Sequence, residues 1–273
     1  MLLRTLSFAA ALAFAVSVAS AHFTFLVVDP AGATASFFLS ETLSPDDTID
    51  VAIIKDAKLF IRQPDGKDEP LSLHAGKDHA LHTPLPGSPA ALRLVHGTVD
   101  LGVSSRGESS PYLLVYHPKT ILGNAFSSAS TDIGKEAAVE LRLTGKPEAA
   151  RLQLVAQGKP QPEAEVTLIE GDGDSRVVTT DADGFTPAFA AAGRVGAWAR
   201  FFENRAGEQG QKKYDQIRHY ATLVFAAPTA AAGVAASNPA PAALTATRLA
   251  TMPEAASSFG AVALDGWLYI YGG

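Results

Sequence analysis

The stretch "EAEVTLIEGDGDSRVVTTDADGFTPAF", residues 163–189, decides how the rest of the chain is read. Val166 and Leu168 point to one side of an extended backbone, and Glu165 and Thr167 point to the other. "TTDADGFTPAF" (Thr179–Phe189) then sets an acidic, glycine-containing turn between two strands. Alternation broken by such a turn is the mark of half-buried antiparallel strands. Working outward, "ARLQLVAQ" lies upstream, and "RVGAWARFFE" and "RHYATLVFA" lie downstream as closing strands. Together they predict a small sandwich of immunoglobulin type, with seven strands or fewer.

The preceding half has the same texture. "FTFLVV" (Phe23–Val28) and "ASFFLS" (Ala35–Ser40) are aromatic and β-branched, with the turn "DPAGAT" between them. "TIDVAII", "AKLFIRQ", "LSLHA", "HALHTPL", "ALRLVHGTVDLGV" and "YLLVYH" follow as short strands, with "PDG" as a turn after the second. From Ala226 the composition turns to alanine and proline with hardly any charge, as in a semi-extended linker. The chain therefore reads as all-β, with two β-sandwich (Ig-like) domains, then a linker and a truncated closing hairpin. The expected boundaries are 1–21 for a signal peptide, 22–148 and 149–226 for the two sandwiches, 227–246 for the linker, and 247–273 for the hairpin segment.

The opening residues predict secretion. Arg4 precedes an uncharged apolar run, and Ala19-Ser20-Ala21 has the small-residue pattern of a cleavage site. The run is short of the about 20 strongly apolar residues that span a bilayer. A lipid-anchored terminus would need a cysteine, and there is none. Cleavage after Ala21 makes His22 the new terminus, where its α-amine and imidazole can chelate one transition metal ion together. The expected location is periplasmic or extracellular, with no membrane span after cleavage.

Removing 21 residues from 273 leaves 252, and losing Arg4 takes the net charge from −6 to −7. So acidic a chain has no electrostatic reason to bind nucleic acid. Without cysteine, stability comes from packed cores rather than disulfides, and thiolate metal sites and cysteine nucleophiles are excluded. The sequence contains no G-x-S-x-G, H-E-x-x-H, P-loop or dinucleotide fingerprint, so it reads as non-enzymatic.

Two resemblances add to this. "MPEAASSFGAVALDG" followed by "WLYIYGG" resembles the opening of a kelch repeat, with strands at Ala261–Leu264 and Trp267–Tyr271, the turn Asp265-Gly266 and the pair Gly272-Gly273. Ala256 departs from it, standing near where such repeats often carry arginine. The resemblance implies a parent chain that continues into a propeller, which takes several blades. A galactose-oxidase-like centre would need a cysteine–tyrosine pair, which this sequence cannot supply.

The region from about His22 to Phe225 resembles a family of uncharacterised secreted proteins grouped with periplasmic nickel-transport components. The stretches that carry it are "AHFTFLVVDP", "FFLSETLSPD", "HGTVDLGVSSRGESSPYLLVYHPKTILG" and "KKYDQIRHYATLVF". Its closing domain looks like the carboxypeptidase-regulatory type of Ig-like module, through "GKPQPEAEVTLIEGDG" and "VVTTDADGFTPAF". The resemblance implies an envelope binding or accessory protein linked to nickel or cobalt uptake.

Among the seven histidines, the metal candidates are His22, His117 and His219, for a divalent nickel, cobalt or copper ion. His117 ends an apolar run before Pro118, and His219 shares a strand face with Ile217, Ala221 and Leu223. Glu41 and Asp215 are candidate carboxylates beside them. His74, His79 and His82 read as surface residues, although a hairpin at Gly76 would bring two together. Asp172, Asp174, Asp181 and Asp183 do not meet the spacing of an EF-hand loop and read as solvated turns. Trp198 and Phe202, four apart, read as core, within an aromatic cluster that also holds Phe201, Tyr214 and Tyr220. An N-terminal histidine is also the first requirement of the copper monooxygenases that cut polysaccharides, which this chain does not otherwise resemble. The alternative to metal binding is an interaction module whose Ig-like and kelch surfaces meet a protein or glycan.

Overall fold

The computed structural model describes residues 22–105, 110–135, 137–171, 173–228, 260–264 and 267–271, the last two segments by backbone alone. The expected signal peptide, Asp172, residues 229–246 of the linker, residues 247–259 of the kelch-like segment, the turn Asp265-Gly266 and the pair Gly272-Gly273 lie outside the described residues. The chain divides into two compact units, Met1–Ala231 and Ala232–Gly273.

In chain order the strands of the first unit begin with β1 (Phe23–Val28), β2 (Thr34–Ser40), β3 (Lys58–Arg62), β4 (Asp68–Pro70), β5 (His74–Ala75) and β6 (Leu81–Pro84). Next come β7 (Arg93–Ser104), β8 (Tyr112–Leu122), β9 (Val139–Lys146), β10 (Ala149–Ala156), β11 (Lys159–Pro160) and β12 (Glu165–Glu170). The last are β13 (Asp174–Thr179), β14 (Gly193–Glu203), β15 (Gly207–Gln209), β16 (Lys212–Tyr214) and β17 (Gln216–Ala227). In the second unit β18 (Gly260–Leu264) and β19 (Trp267–Tyr271) pair antiparallel, with Gly260 opposite Tyr271 and Leu264 opposite Trp267.

The chain is all-β, and the three larger sheets of the first unit pack face to face. A central sheet of eight strands runs β13-β12-β14-β17-β8-β7-β3-β4. The four-stranded sheet β1-β2-β6-β5 covers one of its faces through Phe23, Phe25, Phe37, Leu59, Val95, Tyr116 and Val224. The three-stranded sheet β11-β10-β9 covers the other through Leu141, Leu152, Val166, Leu168, Ala197, Leu223 and Phe225. The three-stranded sheet thus faces β13-β12-β14-β17 and, through Ile121 and Leu94, parts of β8 and β7.

The expected boundary at 148/149 does not survive. It falls in the turn of the β9–β10 hairpin, whose strands pair from Ala149↔Lys146 to Ala156↔Val139. Strands from both sides of it also share the central sheet, joined by the parallel pairing of β17 with β8. The cause lies in "YLLVYHPKTIL" and "QIRHYATLVFAA", which are buried on both faces for most of their length. Such strands need a covering layer on each side and sit mid-sheet. The expected strand "TIDVAII" is also corrected: Val51–Ile54 is a 3-10 turn, because the Asp50 carboxylate accepts the Ala52 amide and caps it.

Candidate functional site

His22 stands just before β1. Its Nε2 lies 2.7 Å from Asp46 Oδ2, and its carbonyl accepts the Tyr116 hydroxyl at 3.0 Å. Asp46 is itself held: its Oδ1 accepts the Thr48 amide at 2.9 Å and the Thr48 hydroxyl at 2.6 Å. The two Thr48 bonds, followed by the His22 bond, draw the Asp46 carboxyl down to a pKa of about 2. An ionised carboxylate only accepts hydrogen bonds, so in the neutral imidazole Nε2 carries the proton and Nδ1 keeps the lone pair. Nδ1 is the nitrogen on the backbone side of the ring, the one able to close a chelate with the α-amine. Beside this residue is a cavity of about 200 Å³ lined by apolar and tyrosine side chains, among them Phe23, Ile49, Leu114, Tyr112 and Tyr220.

His117 and His219 form a second constellation. They sit on adjacent parallel strands, β8 and β17, where His219 is opposite Val115 and His117 is opposite Ala221. His117 Nε2 and His219 Nδ1 are 2.9 Å apart, and His219 Nε2 is 3.2 Å from Glu203 Oε2. Both histidines are buried, and the Phe201 ring stacks on His219. Burial, then the neighbouring His219, pushes His117 down to about 3. Burial also lowers His219, partly opposed by Glu203. The polar chain therefore runs from His117 Nε2–H to His219 Nδ1, and from His219 Nε2–H to the Glu203 carboxylate.

The three metal candidates do not converge. His22 shares its cavity with Tyr116, and His117, the next residue on β8, faces the opposite side of the central sheet. Among the described residues no group of three or more His, Asp or Glu side chains is arranged to hold one ion. The carboxylate on His219 is Glu203, rather than Glu41 or Asp215. It was legible in principle: β14 pairs antiparallel with β17 so that Phe201 faces His219, and Glu203 is the next residue on that face. Finding it required the register as well as the strands.

Among the remaining histidines, His82 has local side-chain partners. The β5–β6 hairpin sets His74 opposite His82, and His82 bonds Asp78 at 2.8 Å and Ser36 at 3.3 Å. Trp198 stacks on Phe23 with ring centroids 3.9 Å apart. Phe202, expected in the core, is instead 41% exposed at the end of β14. It lies under Arg200 and Arg218, and Arg218 also covers the Tyr112 ring at 3.7 Å. The Asp181 carboxylate closes its own turn by accepting the Asp183 and Phe185 amides, and it pairs with Arg151. Among the described residues no helix is long and apolar enough to cross a membrane.

No family model and no curated protein matches the chain. Among solved structures, the chain is similar to a tetra-tandem repeat from the extending region of a large adhesion protein, at 13% identity and a TM-score of 0.19. That match covers 76% of this chain and 49% of the other, so it spans about half of that structure. A second is a two-domain fibronectin type III segment from chicken tenascin, at 13% identity and a TM-score of 0.18, covering 73% of this chain and 98% of that one.

Proposed function

We propose that the protein is a secreted or periplasmic binding protein that takes a divalent transition metal, nickel, cobalt or copper, through His22 after removal of residues 1–21. The observation that carries this reading is the Asp46–His22 contact of 2.7 Å. A carboxylate on the far nitrogen of a ligating imidazole fixes its tautomer and raises its basicity. Here it leaves Nδ1 as the donor, beside the amine that cleavage would create. Two nitrogens from one residue suit copper and nickel, with water in the remaining positions. The resemblance to secreted proteins grouped with nickel-transport components points the same way.

The test is calorimetric titration of the chain starting at His22 with Ni²⁺, Cu²⁺ and Zn²⁺. A matched chain carries one extra alanine before His22, which separates the free amine from the imidazole. The expected result is one ion per chain, weakened by about 100-fold or more in the extended chain, because the second donor is no longer intramolecular. Equal affinities in the two chains contradict the proposal.

A second reading has its own observation. Phe202 and Arg200 are exposed, and the half-buried Arg218 guanidinium lies over both the Phe202 ring and the buried Tyr112 ring. Such a surface suits an interaction module for a protein or glycan, with the kelch-like hairpin as a further surface. Loss of partner binding in Phe202→Ala, with metal affinity unchanged, would favour it.

A further inference from the structure

We propose that His117 and His219 form a separate, two-nitrogen site for a monovalent d¹⁰ metal ion, copper(I) or silver(I), on the face of the central sheet remote from His22. It stands independently of the His22 reading. The two donor nitrogens already point at each other, 2.9 Å apart, with only a proton between them. Adjacent parallel strands hold both rings, which are 8% and 5% exposed.

Donor number selects the ion. Among the described residues no third His, Asp or Glu joins the pair around one position. Structural zinc takes four ligands, and nickel prefers square-planar or larger sets. A filled-shell monovalent ion is satisfied by two neutral imidazoles in line. Charge points the same way. The cost of burying an ion rises steeply with its charge, which favours a monovalent one. Glu203, the carboxylate beside His219, also pairs with the exposed Arg205 at 3.1 Å. Lys119, two residues along β8 from His117, is committed to Glu140. Glu203 also fixes the donor: by accepting Nε2–H it leaves the His219 lone pair on Nδ1. Burial keeps both rings neutral, the form that binds metal.

Entry of the ion replaces a hydrogen bond by two metal–nitrogen bonds. The nitrogens must move apart to about 4 Å, twice a metal–imidazole bond of ~2 Å. His117 shifts its proton from Nε2 to Nδ1, so no net proton is released and no electron is transferred.

The experiment uses the whole secreted chain, without oxygen. Copper(I), supplied as its acetonitrile complex, competes against a coloured copper(I) chelator. The expected result is a copper(I) site that persists when an alanine precedes His22, weakens about 100-fold or more in His117→Gln and in His219→Gln, and weakens about 10–100-fold in Glu203→Gln. Zinc and nickel should not displace it. X-ray absorption of the unsubstituted protein should give two nitrogen ligands, a readout that does not require the variants to fold. Copper(I) affinity unchanged in both histidine variants overturns the proposal, as does a ligand shell of three or more atoms or one that contains sulfur. Loss of the site on alanine extension alone also overturns it, since the ion would then belong to His22.

Discussion

Glu140→Gln should destabilise the folded chain by about 3–5 kcal/mol, the usual cost of leaving one partner of a buried ion pair alone. Lys119 Nζ lies 3.1 Å from Glu140 Oε2 and donates to the Leu141 carbonyl at 2.9 Å, and both charged side chains are 1% exposed. Burial pushes the Lys119 ammonium down from its ordinary range. Burial would raise the Glu140 carboxyl, but Lys119, the Ile133 amide and Arg142 outweigh it and hold the group below its ordinary value. The pair pins β8 to β9, tying the central sheet to the three-stranded sheet that covers it. Replacing both partners, as Lys119→Met with Glu140→Leu, should recover part of the loss: no fully buried charge then remains, while Arg142 and the Ile133 amide lose their Glu140 contacts. Urea unfolding with a common slope measures this. A Glu140→Gln chain within about 1 kcal/mol of the parent would mean that water reaches the pair.

The metal-free protein should lose stability as pH falls below neutral. His117 has a pKa of about 3 in the folded chain, against an ordinary value of about 6.5. Above 6.5 both folded and unfolded chains hold it neutral, so its titration has no effect there. Below 6.5 the unfolded chain takes up a proton that the folded chain refuses, and stability falls until pH approaches 3. His117 alone accounts for about 2 kcal/mol by pH 5 and about 5 kcal/mol over the whole interval. His219 is lowered too and adds in the same direction. Asp46 acts in a different window: its carboxyl is lowered to about 2, so its contribution is present above 3.8 and is lost as pH falls towards 2. Urea midpoints between pH 8 and pH 5 measure the histidine effect, and His117→Gln should flatten the curve. Midpoints independent of pH across that range would show that the rings protonate in place.

What was legible depended on whether one residue or two strands carried the information. The alternation at 163–170 led directly to β12, and the turn at Asp181–Gly184 closes as its residues suggest. Yet Thr167, which points away from Val166 and Leu168, is also buried, as is Ile169 on the same side, because the central sheet is covered on both faces. A pattern read along one strand does not reveal a second covering layer. For the same reason neither half of the sequence reveals that one sheet serves both sandwiches. The four-residue spacing from Trp198 predicts a core position for Phe202, which instead is exposed near the end of β14. Residue type alone groups His22 with His117, although Tyr116 and His117 must face opposite sides of a strand. Glu203 depended on the pairing of β14 with β17, a contact between strands that single-strand patterns do not contain.

The most direct measurement is electron paramagnetic resonance of the copper(II)-loaded chain beginning at His22, with that histidine labelled by ¹⁵N at the α-amine and Nδ1. The proposal expects couplings from both labelled nitrogens, with the amine coupling lost when an alanine precedes His22. A spectrum unchanged by the label would place the copper on other residues and leave His22 as the residue that begins the first strand.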